Sequence, residues 1–242
     1  MLALYLKEIR GFLNSFIGYI VIGVFLTLAG LLLWVLPNFE YNIFDSKESS
    51  LLNFFKIAPY IFLLLIPSIT MKSFAEEKRL GTIELLLTKP IRDFNIILAK
   101  FLAGVTLVLV AILPTIVYFF CIEDLKTDLS QIDAGQTIGS YIGLSLLTIL
   151  YVSISLFASS LSNNQVVAFI LGLTFCVIMY LGFDSLSQLF TENDTFLMQI
   201  GILDHYKTIS KGLLDTSDVV YFICTTGIFL TLTYLVVNSR KW

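Results

Sequence analysis

Glu76-Glu77-Lys78-Arg79 is the densest run of ionisable side chains in the sequence, and two adjacent carboxylates could in principle share a proton or hold a metal. Either chemistry needs partners. The sole histidine, His205, stands far off in Asp204-His205-Tyr206-Lys207, with no second ligand at metal spacing, and reads as a hydrogen-bonded structural residue. No HExxH and no GxxxxGK[ST] occurs, so the chain supplies neither a zinc-activated water nor a phosphate-cradling loop for ATP. A protease built on paired glutamates inside a membrane would need histidines beside them, and Glu76-Glu77 have none. Cys121, Cys176 and Cys224 are odd in number and lie in apolar sequence, where they read as small core residues. Recognition is the chemistry left for residues 76–90. Leu80, Ile83 and Leu87 fall at i, i+3 and i+7 with Glu84 beside them, and an apolar stripe on a loop with no local core suits the docking of another chain. A juxtamembrane cap would explain the Lys and Arg but not Leu85-Leu86-Leu87 outside a bilayer.

The elements that must carry this loop are membrane spans. The 242 residues are 57% hydrophobic and only 14% charged, against roughly a quarter charged in soluble domains, and the mean hydropathy is +0.89. The expected fold is an all-α polytopic membrane protein of six transmembrane helices, one transmembrane domain over 1–242. Its spans are expected at about 12–36, 52–71, 96–120, 138–161, 165–184 and 219–238. Phe12 to Leu36 has no charge and would rise about 37 Å as a helix. It ends in Trp34-Val35-Leu36-Pro37-Asn38, unlike a signal-peptide cleavage site, so a retained anchor is expected. The second span holds Pro59 and Pro67 and needs Lys56 to snorkel outward. With the N-terminus inside, the cytoplasmic segments hold Lys7, Arg10, Lys72, Lys78, Arg79, Lys89, Arg92, Lys100, Arg240 and Lys241, ten of the 15 basic residues, which predicts N-in, C-in. Formal net charge is −3, so nothing points to nucleic acid.

Leu2, Leu6, Ile9 and Leu13 form one stripe, predicting an amphipathic interfacial helix over Leu2 to Asn14 rather than an early start to the first span. In the loop over 72–95, Gly81 is placed to end an extension of the second span, Thr82 to cap a short helix Ile83 to Thr88, and Pro90 to close it. Gly139 and Gly143 lie at GxxxG spacing in a fourth span rich in hydroxyls, among them Ser145, Ser155 and Ser159. Close helix packing is favoured there over a polar pathway lining. Phe196 to Leu203 is too short to cross a bilayer and predicts a re-entrant or interfacial element within the outer segment 185–218. No ionisable residue stands mid-span and no inverted repeat shows, which argues against an ion-coupled secondary transporter.

Glu76-Glu77-Lys78-Arg79-Leu80-Gly81-Thr82-Ile83-Glu84-Leu85-Leu86-Leu87-Thr88-Lys89-Pro90 closely resembles the loop between the second and third spans in permease subunits of type-2 ABC exporters. Phe157 to Ala168 is similar to that family's turn between the fourth and fifth spans. Asp204-His205-Tyr206 with Ser210-Lys211-Gly212-Leu213-Leu214-Asp215 looks like its outer segment before the sixth. Within the family the sequence most resembles the permeases associated with gliding motility in Bacteroidetes, including the Arg240-Lys241-Trp242 end. The resemblance implies a bacterial inner-membrane subunit with no cofactor of its own, ATP and Mg²⁺ being held by a separate ABC ATPase. That ATPase would dock through Glu76, Glu77, Arg79, Leu80, Gly81, Thr82, Ile83, Glu84, Leu87 and Pro90. It further implies pairing with a second copy or a related membrane subunit, amid membrane lipid. The competing expectation is a non-transporting anchor or assembly platform for a motility or secretion machine.

Overall fold

The computed structural model describes residues 1–36, 51–82, 93–125, 134–190, 199–213 and 215–239. Its described residues are mostly helical, with no strand among them, and include six helices long and apolar enough to cross a membrane: Phe16–Val35, Leu52–Arg79, Asp93–Ile122, Gly135–Leu161, Gln165–Ser187 and Thr216–Asn238. The Ile83 to Thr88 helix, with Ile83, Glu84, Leu87 and Pro90, lies outside the described residues, as do Phe196, Leu197 and Met198 of the Phe196 to Leu203 stretch.

Helix α1 (Leu2–Leu13) is separate from α2 (Phe16–Gly30), which continues as a π-helical turn over Leu31–Val35. The break is chemical. Ser15 is extended, its Oγ accepts the Gly18 N–H at 3.1 Å and donates to the Phe12 carbonyl at 2.7 Å, capping α2 and turning the chain off the α1 axis. Leu4 of α1 packs on Ile96 and Ala99, at the start of the third span.

The second span is α3 (Leu52–Thr70), joined through Met71 to α4 (Lys72–Arg79). The third is α5 (Asp93–Ile112), a 3₁₀ turn and α6 (Ile116–Leu125). The fourth, α7 (Ala134–Leu161), runs 28 residues through the middle of the bundle, and Leu144, Leu147, Leu150, Tyr151, Ile154 and Ala158 have no exposed surface. The fifth is α8 (Gln165–Val177), a π turn at Ile178–Gly182 and α9 (Phe183–Phe190). Then come α10 (Ile202–Ile209) and the sixth span, α11 (Thr216–Asn238). The spans divide into two classes. Between 67% and 72% of the second, third and fourth is buried, whereas only 17–22% of the first, fifth and sixth is. Three helices form the core and three present apolar faces outward, as lipid or a membrane partner requires.

Pro59 carries no N–H, so a helix through it leaves the Phe55 carbonyl without its usual donor. The Tyr206 hydroxyl of α10 donates to that carbonyl at 2.8 Å. Burial, and after it the neighbouring Tyr180, push the Tyr206 phenol well above its ordinary pKa, so it stays a neutral donor. Helix α10 is thereby pinned into the end of the bundle remote from α4. His205 is fixed there too, with Nδ1 2.7 Å from Asp218 Oδ1, Nε2 2.9 Å from the Gln199 carbonyl oxygen, and its ring stacked on Tyr221.

Candidate functional site

At the α4 end three helices meet around one lysine. Lys100 lies about two turns into α5, and its side chain is 1% exposed. An ammonium so buried is tolerated only when paired. Its Nζ stands 2.8 Å from Glu8 Oε1 of α1 and donates to the Ser73 carbonyl at 2.6 Å. It meets Glu77 Oε2 of α4 at 2.9 Å, an ion contact out of line for a hydrogen bond. The Phe74 ring lies 5.2 Å away, adding a cation–π contact. Lys7, largely exposed, reaches Glu77 Oε1 at 3.6 Å. Helix α1, the extension of the second span and the third span are thus tied through two carboxylates and one ammonium.

A second tie joins α4 to the fourth span. The bend at Met71 leaves the first N–H groups of α4 in need of acceptors, as at any helix start. Ser159, near the end of α7, supplies one from more than eighty residues away. Its Oγ accepts from Phe74 N at 3.1 Å and Ala75 N at 3.3 Å, and lies 3.1 Å from the Met71 carbonyl to which it donates. Lys78 Nζ donates to the Ser160 carbonyl.

The predicted loop residues divide. Glu77 is turned to Lys100 and, together with Glu76, Leu80 and Thr82, lines a cavity of about 500 Å³ beside it. Arg79 is exposed, as is Leu80 at 61%. Gly81 has φ +68, a left-handed conformation that favours glycine, and it ends the extension of the second span. Thr82 donates its hydroxyl back to the Glu77 carbonyl at 3.3 Å, and the helix it was expected to cap lies outside the described residues.

The fourth-span residues sit apart from this junction, apart from Ser159. A Cβ on Gly139 would stand 2.7 Å from the Gly212 carbonyl oxygen, and one on Gly143 would strike Ile209, so both glycines admit the α10 end of this same chain. Ser145 donates to the Tyr141 carbonyl of its own helix, and Ser155 Oγ lies 3.6 Å from Cys176 Sγ. Sequence reasoning missed Lys100, Glu8 and Phe74. A signal existed for Lys100, a single cation in Ile96-Ile97-Leu98-Ala99-Lys100-Phe101-Leu102-Ala103, which must find carboxylates if that run is helical and buried. Among the described residues no group of three or more His, Cys, Asp or Glu side chains could hold a metal ion.

No curated protein matches the sequence. The signature of the ABC-2 family transporter proteins matches residues 36–241, a region that includes Glu77, Lys100, Ser159 and five of the six spans. With a multi-pass helical bundle and a loop extension tied into its core, the chain belongs to the ABC-2 family of transporter proteins, as a membrane subunit.

Proposed function

We propose that this ABC-2 membrane subunit is the permease of an exporter, energised by a separate ATPase that docks on the 76–90 loop. ATP and Mg²⁺ belong to that partner, the chain pairs with a second copy or a related subunit, and the inner membrane of a bacterium houses the assembly. The observation that carries the reading is the anchorage of α4. Helix α4, which extends the second span and seats Phe74 in the core, is joined to α1 and α5 through Lys100 and to α7 through Ser159, so a pull on the loop reaches three other helices at once. Coupling needs a rigid connection between dock and membrane path, and a bare charged cap would not need these ties. The ten-to-five basic split supports the orientation with the loop inside. The sequence resemblance to gliding-motility permeases supports an assignment to such a system.

The test is to purify the tagged chain from its host membranes with its partner attached, strip the partner, and assay Mg-ATP hydrolysis before and after. Hydrolysis by the complex and none by the stripped chain is expected. Hydrolysis that stays with the stripped chain overturns the division of labour.

A further inference from the structure

The cavity beside the Lys100 junction contains two charges that the junction leaves over. It lies between α1, the α3–α4 bend and α5, encloses about 500 Å³, and has an apolar floor that includes Ile69, Ala103 and Leu107. Six charged side chains line it, three cations and three anions. Lys100 takes Glu8 and Glu77, and Lys7 leans on Glu77. Lys72 and Glu76 remain. Both are half-buried, one helical turn apart on α4, and among the described residues neither makes an ion pair, not even with the other. Lysine N-terminal to glutamate is the weaker order for a pair on one helix, so little holds them together. Half-burying an unpaired cation and an unpaired anion costs free energy that a ligand of matching charges would recover.

We propose that this cavity seats one zwitterionic aminophospholipid, its phosphate on Lys72 and its primary ammonium on Glu76. The spacing of ~5–6 Å between Cβ atoms one turn apart suits the short linker between the two charges of an ethanolamine headgroup. A primary ammonium has three N–H donors for a carboxylate, whereas a quaternary choline has none. An anionic glycerol headgroup offers Glu76 only like charge. The acyl end has a place on the apolar floor. A lipid rather than a free phosphate compound is indicated because the cavity's lining runs along α1 to Phe12 and Ser15, the cap of α2, and the next residue, Phe16, is 79% exposed, as at a bilayer surface. The proposal goes beyond the exporter reading and does not depend on any ATPase.

The test uses the full purified chain in mild detergent, titrated with dioleoyl-phosphatidylethanolamine, -phosphatidylcholine, -phosphatidylglycerol or soluble glycerophosphoethanolamine, with bound ligand read by native mass spectrometry. Phosphatidylethanolamine is expected to bind about tenfold more tightly than the other two lipids, the difference that one charge-assisted hydrogen-bond set supplies. Glu76→Gln should remove the preference over phosphatidylcholine while leaving phosphate binding, and Lys72→Gln should weaken all three lipids together. Equal binding of the three lipids by the unaltered chain overturns the proposal, with no variant needed. Binding of the soluble headgroup as tight as that of the whole lipid overturns its lipid source.

Discussion

Lys100 Nζ lies 2.9 Å from Glu77 Oε2, although Lys100 belongs to the third span and Glu77 to the helix that extends the second beyond the core. The contact makes a loop glutamate part of the membrane framework. Glu77 therefore belongs to the segment proposed as the dock while it balances a buried cation, a link that sequence alone would not make.

Replacing Lys100 with Met should destabilise the chain by about 3 kcal/mol, near the low end for breaking a buried pair, because Glu8 and Glu77 keep some access to water. The triple change Glu8→Gln, Glu77→Gln and Lys100→Met should recover most of that loss, since no uncompensated charge is left. Thermal unfolding in detergent compares the two. A single Lys100→Met variant as stable as the unaltered chain would deny the junction any structural weight.

Ser159→Ala removes the shared acceptor of Phe74 N and Ala75 N and should cost about 1–2 kcal/mol, the usual cost of a lost cap. The effect should be local to α4. Trypsin cleavage after Lys78 or Arg79 and amide exchange over 72–79 should both accelerate while exchange in α7 stays slow.

The two glycines of the fourth span should respond unequally to a second, rescuing change. Gly139→Ala meets backbone, the Gly212 carbonyl oxygen at 2.7 Å and its Cα at 3.0 Å, which cannot swing aside. Gly143→Ala meets Cγ2 and Cβ of Ile209, the near end of a buried, β-branched side chain that is stiff at χ1. A cost of about 1–3 kcal/mol is expected for each, and only the second should be relieved by adding Ile209→Ala. Melting temperatures of the four variants decide it.

Reporters fused after Gly81, Asn163 and Trp242 should read as cytoplasmic, and those after Lys47, Thr127 and Asn193 as external, if the basic residues set the orientation. An external reading after Gly81 would remove the loop from any ATPase.

Much of this architecture was legible because long apolar runs between charged segments have one solution in lipid, a helix with all its backbone bonds internal. The α1–α2 break was visible in the Leu2, Leu6, Ile9 and Leu13 stripe, and Gly81 marked its turn. Longer-range partnerships were not. Ser159 reads as one hydroxyl among many, and only the fold brings it against Phe74 and Ala75. Gly139 and Gly143 suggested pairing between helices, and their spacing carries no information on whether the neighbour is another chain or, as found, the Ile209 to Gly212 segment of this one. Lys100 in the sequence reads only as one of the basic charges that bias orientation, and its burial is hidden there because its two carboxylates come from helices more than twenty residues away in either case.

The most direct measurement concerns Leu87 of the apolar stripe and Glu84 beside it, both named for the dock. Glu84→Lys reverses a charge where like charges brought together can cost several kcal/mol, and Leu87→Asp places a carboxylate on the apolar stripe. With membrane levels and reporter topology matched to the unaltered chain and to an exposed control, Lys211→Gln, co-purified Mg-ATPase activity is measured for each. The account predicts that both variants lose the ATPase while Lys211→Gln keeps it. Full ATPase association and activity in both Glu84→Lys and Leu87→Asp would contradict it and reduce the loop to a charged cap on the membrane.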